Sequence, residues 1–167
     1  MSPRSLLKYR RWFIELAVVL LVVTGINLWR ERNLAGGVAP PLQATTVSGA
    51  PFTLAGADQP TLVYFWGTWC PICKMTSPNV AAIAEDHRVI TVAMQSGSDT
   101  EIRRFLQERN LNMAAINDDN GSIAAQWGVK TVPAFFVIDR SGAIKATTLG
   151  LSSGWGLRLR LWLASLD

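Results

Sequence analysis

The chain has 167 residues and a formal charge of +4, long enough for one domain with a real core. Residues 1–32 hold six basic and two acidic side chains and the remainder ten of each, so the basic excess is confined to the N-terminal segment and a nucleic-acid surface is not supported. With two cysteines and one histidine there are too few ligands for an ordinary structural zinc site, and neither a metal nor an organic cofactor is expected.

Residues 1–11 are short and basic. Trp12 to Trp29 is mostly apolar, with a tryptophan at each end and the run VVLLVV near its centre. Eighteen helical residues reach roughly 27 Å, close to the thickness of a bilayer's hydrocarbon layer. Four basic residues precede the run and two follow it. The positive-inside rule then keeps residues 1–11 in the cytoplasm and exports everything after the anchor. Glu15 lies within a turn of the start, where it can reach the headgroups. A cleaved signal peptide is the alternative, but Arg30, Glu31 and Arg32 follow the apolar run directly and no small-residue site stands close to its end.

Residues 30–41, rich in small residues, Gly and Pro, read as a linker, and 42–167 as the domain. QATTV and PFTL, around Ser48-Gly49-Ala50, suggest a hairpin capping one edge of a sheet. Thr61 to Trp66 (TLVYFW) is a nearly unbroken apolar, β-favouring run, the pattern of a strand covered on both faces. Gly67 and Thr68 interrupt it, and Trp69-Cys70-Pro71-Ile72-Cys73 opens a helix, with proline at a position where its missing N–H removes no helical bond.

Cys70 therefore falls at a strand-to-helix corner and Cys73 one turn inside the helix. Unpaired N–H groups at such a corner favour a thiolate, the nucleophile of disulfide exchange, and a second cysteine three residues on can resolve the mixed disulfide. Cys70 reads as the attacking thiol and Cys73 as the resolving one. A bare CxxC also suits half a zinc site, haem attachment or a structural staple. Haem attachment requires a histidine at position 74, which is Lys, and a staple closing so short a loop restricts the unfolded chain little.

The helix is expected to run to about Asp86, bent at Pro78, with Ile72, Val80, Ile83 and Ala84 turned inward and Lys74 exposed. A core strand follows at Val89–Met94, then a helix from Thr100 to Arg109 whose apolar stripe is Ile102, Phe105 and Leu106. A short strand is predicted at Asn112–Ile116. The polar run Asn117–Gly121 reads as a turn with helix capping rather than a calcium loop, and a short helix as Ser122–Trp127. Val132-Pro133 precedes AFFVI, which forms a hairpin with Ala143–Leu149 across Asp139-Arg140-Ser141-Gly142. In the C-terminal GWGLRLRLWLASLD, leucine alternation suits a strand, while helical spacing groups Trp155, Leu159, Trp162, Leu163 and Leu166 on one face.

WCPIC after an apolar strand, with VKTVPAFFVIDRSG some sixty residues later, resembles the thioredoxin superfamily over about Leu42 to Leu166. Within it the chain is most similar to membrane-tethered, periplasm-facing proteins of the cytochrome-maturation and copper-sensitivity-suppressor type. The resemblance implies an α/β, thioredoxin-like fold with an N-terminal β-hairpin, a central strand–helix insert and a final helix packed on the sheet, here preceded by one transmembrane helix. It implies a thiol–disulfide oxidoreductase acting through a redox-active Cys70–Cys73 disulfide on protein or peptide disulfides. Trp69, Pro71 and Ile72 then stand at the docking surface. Pro133 is expected to be cis and to face the dithiol, with Val132 pairing to bound substrate like a strand.

The expected setting is the inner membrane, with the domain in the periplasm and a membrane or periplasmic thiol protein as redox partner. The direction of electron flow stays open, since proteins of this kind range from roughly −270 mV reductants to −120 mV oxidants. Three carboxylates familiar in such proteins are absent, their places taken by Tyr64, Thr76 and Ala134. A reductase is the first expectation. A protein disulfide oxidant and a copper(I)-handling module using the same thiolates are the alternatives.

Overall fold

The computed structural model describes residues 12, 14–19, 21, 22, 25 and 34–166. It divides into two units, 1–32 and 33–167. In the first, every described residue is helical, and among the described residues no helix is long and apolar enough to cross a membrane. Much of the span expected at 12–29 lies outside the described residues.

The second unit is built on a five-stranded sheet. Thr61–Trp66 forms its central strand, β3, flanked by β4 (Arg88–Met94) and β6 (Ala134–Ile138), with β5 (Ala115–Asp118) and β7 (Ile144–Leu149) at the edges. β3, β4 and β5 run parallel, while β6 and β7 are antiparallel to their neighbours. All six residues of β3 are buried, as a strand covered on both faces requires. Their alternation divides the core in two. Leu62, Tyr64 and Trp66 face one cluster, and Val63 and Phe65 the other.

Helices α1 (Pro71–Ala84), α2 (Asp99–Glu108) and α4 (Gly154–Ala164) contribute to the first cluster; the short α3 (Ser122–Gln126) and the adjoining Trp127 contribute to the second. The capping chemistry is explicit in the sequence. Ser98 and Glu101 form a capping box at the start of α2, and the Ser153 hydroxyl accepts from Gly156 N–H at the start of α4.

The hairpin forms as β1 (Gln43–Thr45) and β2 (Pro51–Thr53), a separate two-stranded sheet that meets the β5 edge through Thr46 and Ile116. Residues 34–41, within the expected linker, are laid along the domain instead of standing free. Ala35 N–H donates to Trp127 C=O at 3.0 Å, Ala39 N–H to Gly142 C=O at 2.9 Å, and Val38 bridges Ala143. Small residues let this backbone approach closely enough to share the carbonyls of the turns it crosses.

Two further expectations are corrected. The fifth strand lies later than Asn112–Ile116, because Asn117 and Asp118 pair with Ala93 and Met94. The buried Asp118 carboxylate then accepts from Ile123 and Ala124 N–H at 3.0 and 2.9 Å and so caps α3. The C-terminal segment is helical, but it buries Leu157, Leu161 and Ala164, leaving Trp155, Leu159, Trp162, Leu163 and Leu166 exposed. Both stripes are apolar, so periodicity alone does not choose between them.

Candidate active site

β3 ends at Trp66 and the chain turns through Gly67 and Thr68 into α1. Cys70 is the residue that caps the helix, in extended conformation, with its N–H donating to Gly67 C=O at 3.1 Å. Its carbonyl accepts the first helical bond, from Lys74 N–H at 3.2 Å, and its sulfur accepts from Cys73 N–H at 3.1 Å. Pro71 takes the first helical position and is exposed. Cys70 and Cys73 form a disulfide, with their Cα atoms 5.2 Å apart. When that bond is reduced, the Cys73 N–H and the helix dipole stabilise negative charge on Cys70, and no acidic residue in the first turn opposes them. Cys73 is fully buried.

The Val132–Pro133 peptide bond is cis, and the Val132 carbonyl oxygen lies 3.7 Å from Cys70 Sγ. Sixty-two positions apart in the chain, these residues are brought together by the pairing of β3 with β6, whose register sets Phe65 opposite Ala134. Pro133 is buried and Val132 half-buried. Gly150 N–H donates to Pro133 C=O at 2.8 Å, which brings Leu151 to the same end of the sheet.

Trp69 is exposed yet fixed. Its indole N–H donates to Met94 C=O at 3.2 Å, and its ring lies so close to Gly67 that a Cβ there would stand 2.7 Å from ring atoms. Thr68 N–H donates to Ser96 Oγ at 3.1 Å, and that hydroxyl donates to Met94 C=O at 3.0 Å, so the turn is latched to the end of β4. Ile72 was expected inside the helix packing, but it is 45% exposed, because the buried face of α1 runs through Cys73, Thr76, Ser77, Val80 and Ile83. Trp69, Ile72 and Met75, with Leu151 beyond the proline, leave large apolar side chains in solvent at this end of the sheet.

Beneath the dithiol lies a group of buried hydroxyls. Tyr64 OH is 3.1 Å from Thr76 Oγ1 and 3.2 Å from Ser77 Oγ, and it donates to Cys73 C=O at 3.5 Å. Burial raises the Tyr64 pKa against the opposing effect of its Ser77 and Thr76 bonds, so the phenol stays neutral. Sequence reasoning marked Tyr64 and Thr76 only for the carboxylates they replace, and missed Ser77, Gly67, Met75 and Leu151. Spacing signals the Ser77 position, one helical turn beyond Cys73; the others depend on tertiary contacts. Among the described residues, no group of three or more His, Cys, Asp or Glu side chains could hold a metal ion.

The family model for AhpC/TSA matches residues 35–147, which contain both cysteines and the cis-proline. The chain belongs to the AhpC/TSA family. It is 32% identical over 154 residues to a thioredoxin-like protein of Haemophilus influenzae, covering 90% of this chain and 92% of that one. It is 28% identical to the thiol:disulfide interchange protein DsbE of Pseudomonas aeruginosa, covering 83% of each. Among solved structures, a secreted disulfide oxidoreductase of Mycobacterium tuberculosis matches with a TM-score of 0.62 at 29% identity, over 73% of this chain and 95% of that one. With relatives of this kind and a Cys70–Cys73 disulfide at the corner, this AhpC/TSA protein is a protein thiol–disulfide oxidoreductase.

Proposed function

We propose that the protein reduces disulfides of exported proteins, with Cys70 as nucleophile and Cys73 as resolving thiol. The observation that carries this reading is the position of Cys70 Sγ, at the head of α1 and 3.7 Å from the Val132 carbonyl. The Cys70 thiolate attacks one sulfur of a substrate disulfide. A mixed disulfide forms, and the other substrate sulfur leaves as a thiolate that takes a proton from water. Cys73 gives up its proton to solvent, its thiolate attacks Cys70 Sγ, and the second substrate sulfur is released. Two electrons pass from the dithiol to the substrate, and the Cys70–Cys73 disulfide remains.

Val132 offers its carbonyl next to Pro133, which has no N–H, and a partner strand docks there with its side chains against Trp69 and Ile72. The reducing direction follows from the sequence resemblance to tethered, periplasm-facing proteins of the cytochrome-maturation type. Residues 12–29 anchor the protein in the inner membrane with the domain in the periplasm, and a membrane or periplasmic thiol protein returns the electrons. The apolar run with its flanking arginines supports the anchor, and the secreted relatives support export of the domain.

The test is the redox state of the pair in living cells, read by acid quench and alkylation mass shift, beside a Cys73→Ser strain. A largely reduced pair and a Cys70-linked mixed disulfide trapped by Cys73→Ser are the expected results. A largely oxidised pair overturns the reducing direction, and the absence of any trapped protein overturns the assignment of Cys70 as nucleophile.

A further inference from the structure

Of the three hydroxyls under the dithiol, those of Thr76 and Ser77 make the local back-bonds of a helical Thr and Ser, but the Tyr64 hydroxyl that joins them calls for an explanation that helix formation does not supply. The Cys73 carbonyl lies inside α1, where the helix provides its own donors. Ser77 Oγ donates to it at 2.8 Å, the Thr76 hydroxyl is shared between it at 3.2 Å and the Ile72 carbonyl at 3.1 Å, and Tyr64 OH lies 3.5 Å from it and 3.1 and 3.2 Å from the Thr76 and Ser77 oxygens. Thr76, Ser77 and Tyr64 are all buried. Buried hydroxyls carry a desolvation cost, and apolar side chains of the same shape would fill this space about as well.

Two of the donors belong to the helix that carries Cys73. Tyr64 does not: it stands on β3, its ring stacked on Phe135 with centroids 4.8 Å apart and planes within 8°. Its hydroxyl therefore connects the first turns of α1 to the rigid centre of the sheet. Cys70 is supported separately, through the Gly67 carbonyl and the latch of Thr68 on Ser96. The two sulfurs share one helix and the bond from Cys73 N–H to Cys70 Sγ, but each also has a support of its own, and the ease with which Cys73 reaches Cys70 depends on how well these agree.

The geometry assigns Tyr64, Thr76 and Ser77 as positioning residues for Cys73, holding its backbone against the central strand so that its thiol is presented to Cys70. They take no part in the bond changes. Their effect is on the effective concentration of Cys73, which raises the rate of the resolving step and favours the closed disulfide over the dithiol. This rests on the redox role of the pair, and it identifies what holds the resolving cysteine in place.

Tyr64→Phe removes one hydroxyl and keeps the ring that stacks on Phe135. In the full-length, detergent-solubilised protein equilibrated with reduced and oxidised glutathione, we expect the constant for disulfide closure to fall about three- to tenfold. That corresponds to a rise in reduction potential of about 14 to 30 mV. Release of glutathione from its mixed disulfide with Cys70 slows in step, and the melting temperature falls more in the oxidised form than in the reduced one. Ser77→Ala, which removes the shortest of the three bonds, shows the same pattern and carries the test if Tyr64→Phe does not fold. Equal losses of melting temperature in both forms, with the closure constant and release rate unchanged, overturn the proposal and leave the hydroxyls a structural role only. A wild-type pair that fails to exchange with glutathione overturns instead the redox reading on which the proposal rests.

Discussion

Helices α1 and α4 pack against the same core cluster and are joined by the Arg158–Asp86 ion pair and by Arg158 Nη2 donating to Ala82 C=O at 2.9 Å, but they distribute polarity in opposite ways. α1 turns inward a disulfide sulfur and two hydroxyls along with Val80 and Ile83, and leaves Ile72 and Met75 in solvent. α4 turns inward only Leu157, Leu161 and Ala164, yet its outer face is also apolar, with Trp155 and Trp162 more than half exposed. A helix at a reactive centre can afford buried polar atoms when each finds a partner, and the Tyr64, Thr76 and Ser77 hydroxyls do so at 2.8–3.5 Å. A helix that only covers a sheet needs nothing but apolar contact on its inner side.

The sharpest way to probe that contrast is to truncate each face of α4. Leu161→Ala removes a side chain 2% exposed in the first cluster and is expected to destabilise the domain by about 2–5 kcal/mol in urea unfolding. Trp155→Ala, at 79% exposure, is expected to change it by no more than about 0.5 kcal/mol. Equal effects of the two would reverse the assignment of the buried face.

On the α1 side, Gly67→Ala forces a methyl group against the Trp69 ring and displaces it from the Met94 carbonyl. The expected destabilisation is about 1–3 kcal/mol. Thiol–disulfide exchange with a protein substrate should show a raised KM with kcat nearly unchanged, because the Cys70–Cys73 pair keeps its own supports. A fall in kcat at constant KM would mean that the ring position governs the chemistry rather than docking.

The smallest effect belongs to the surface of α2. Hydrogen bonds from the Ser98 backbone N–H and hydroxyl hold the Glu101 carboxyl below its ordinary pKa of 4.5. Because the folded value is the lower one, its stabilisation is full above the ordinary value and is lost as the pH falls through the depressed one. Glu101→Gln should therefore lower the melting temperature slightly at neutral pH and flatten its decline on the acid side. A melting curve with the same acid slope in both proteins would show that the cap contributes nothing to acid sensitivity.

Much of the site was legible because its signals are local. Trp69-Cys70-Pro71-Ile72-Cys73 after an apolar strand specifies a capped helix start and hence the placement of both sulfurs. The position of Val132-Pro133 beside them was reached by resemblance, since only the β3–β6 register brings the two segments together. The exposure of Ile72 and the service of Tyr64 to Cys73 were not legible, because each depends on which side of α1 the sheet occupies.

By itself the sequence determined the element order, the central strand, the capped corner with its dithiol and the turn of the last hairpin, because these rest on period, proline and glycine within a few residues. Tertiary structure decided which apolar stripe of α4 is buried, that residues 34–41 lie along the domain, and that the Tyr64 hydroxyl joins those of Thr76 and Ser77 under Cys73. These are choices between locally equivalent surfaces, and the energy that decides them comes from contacts between segments far apart in the chain.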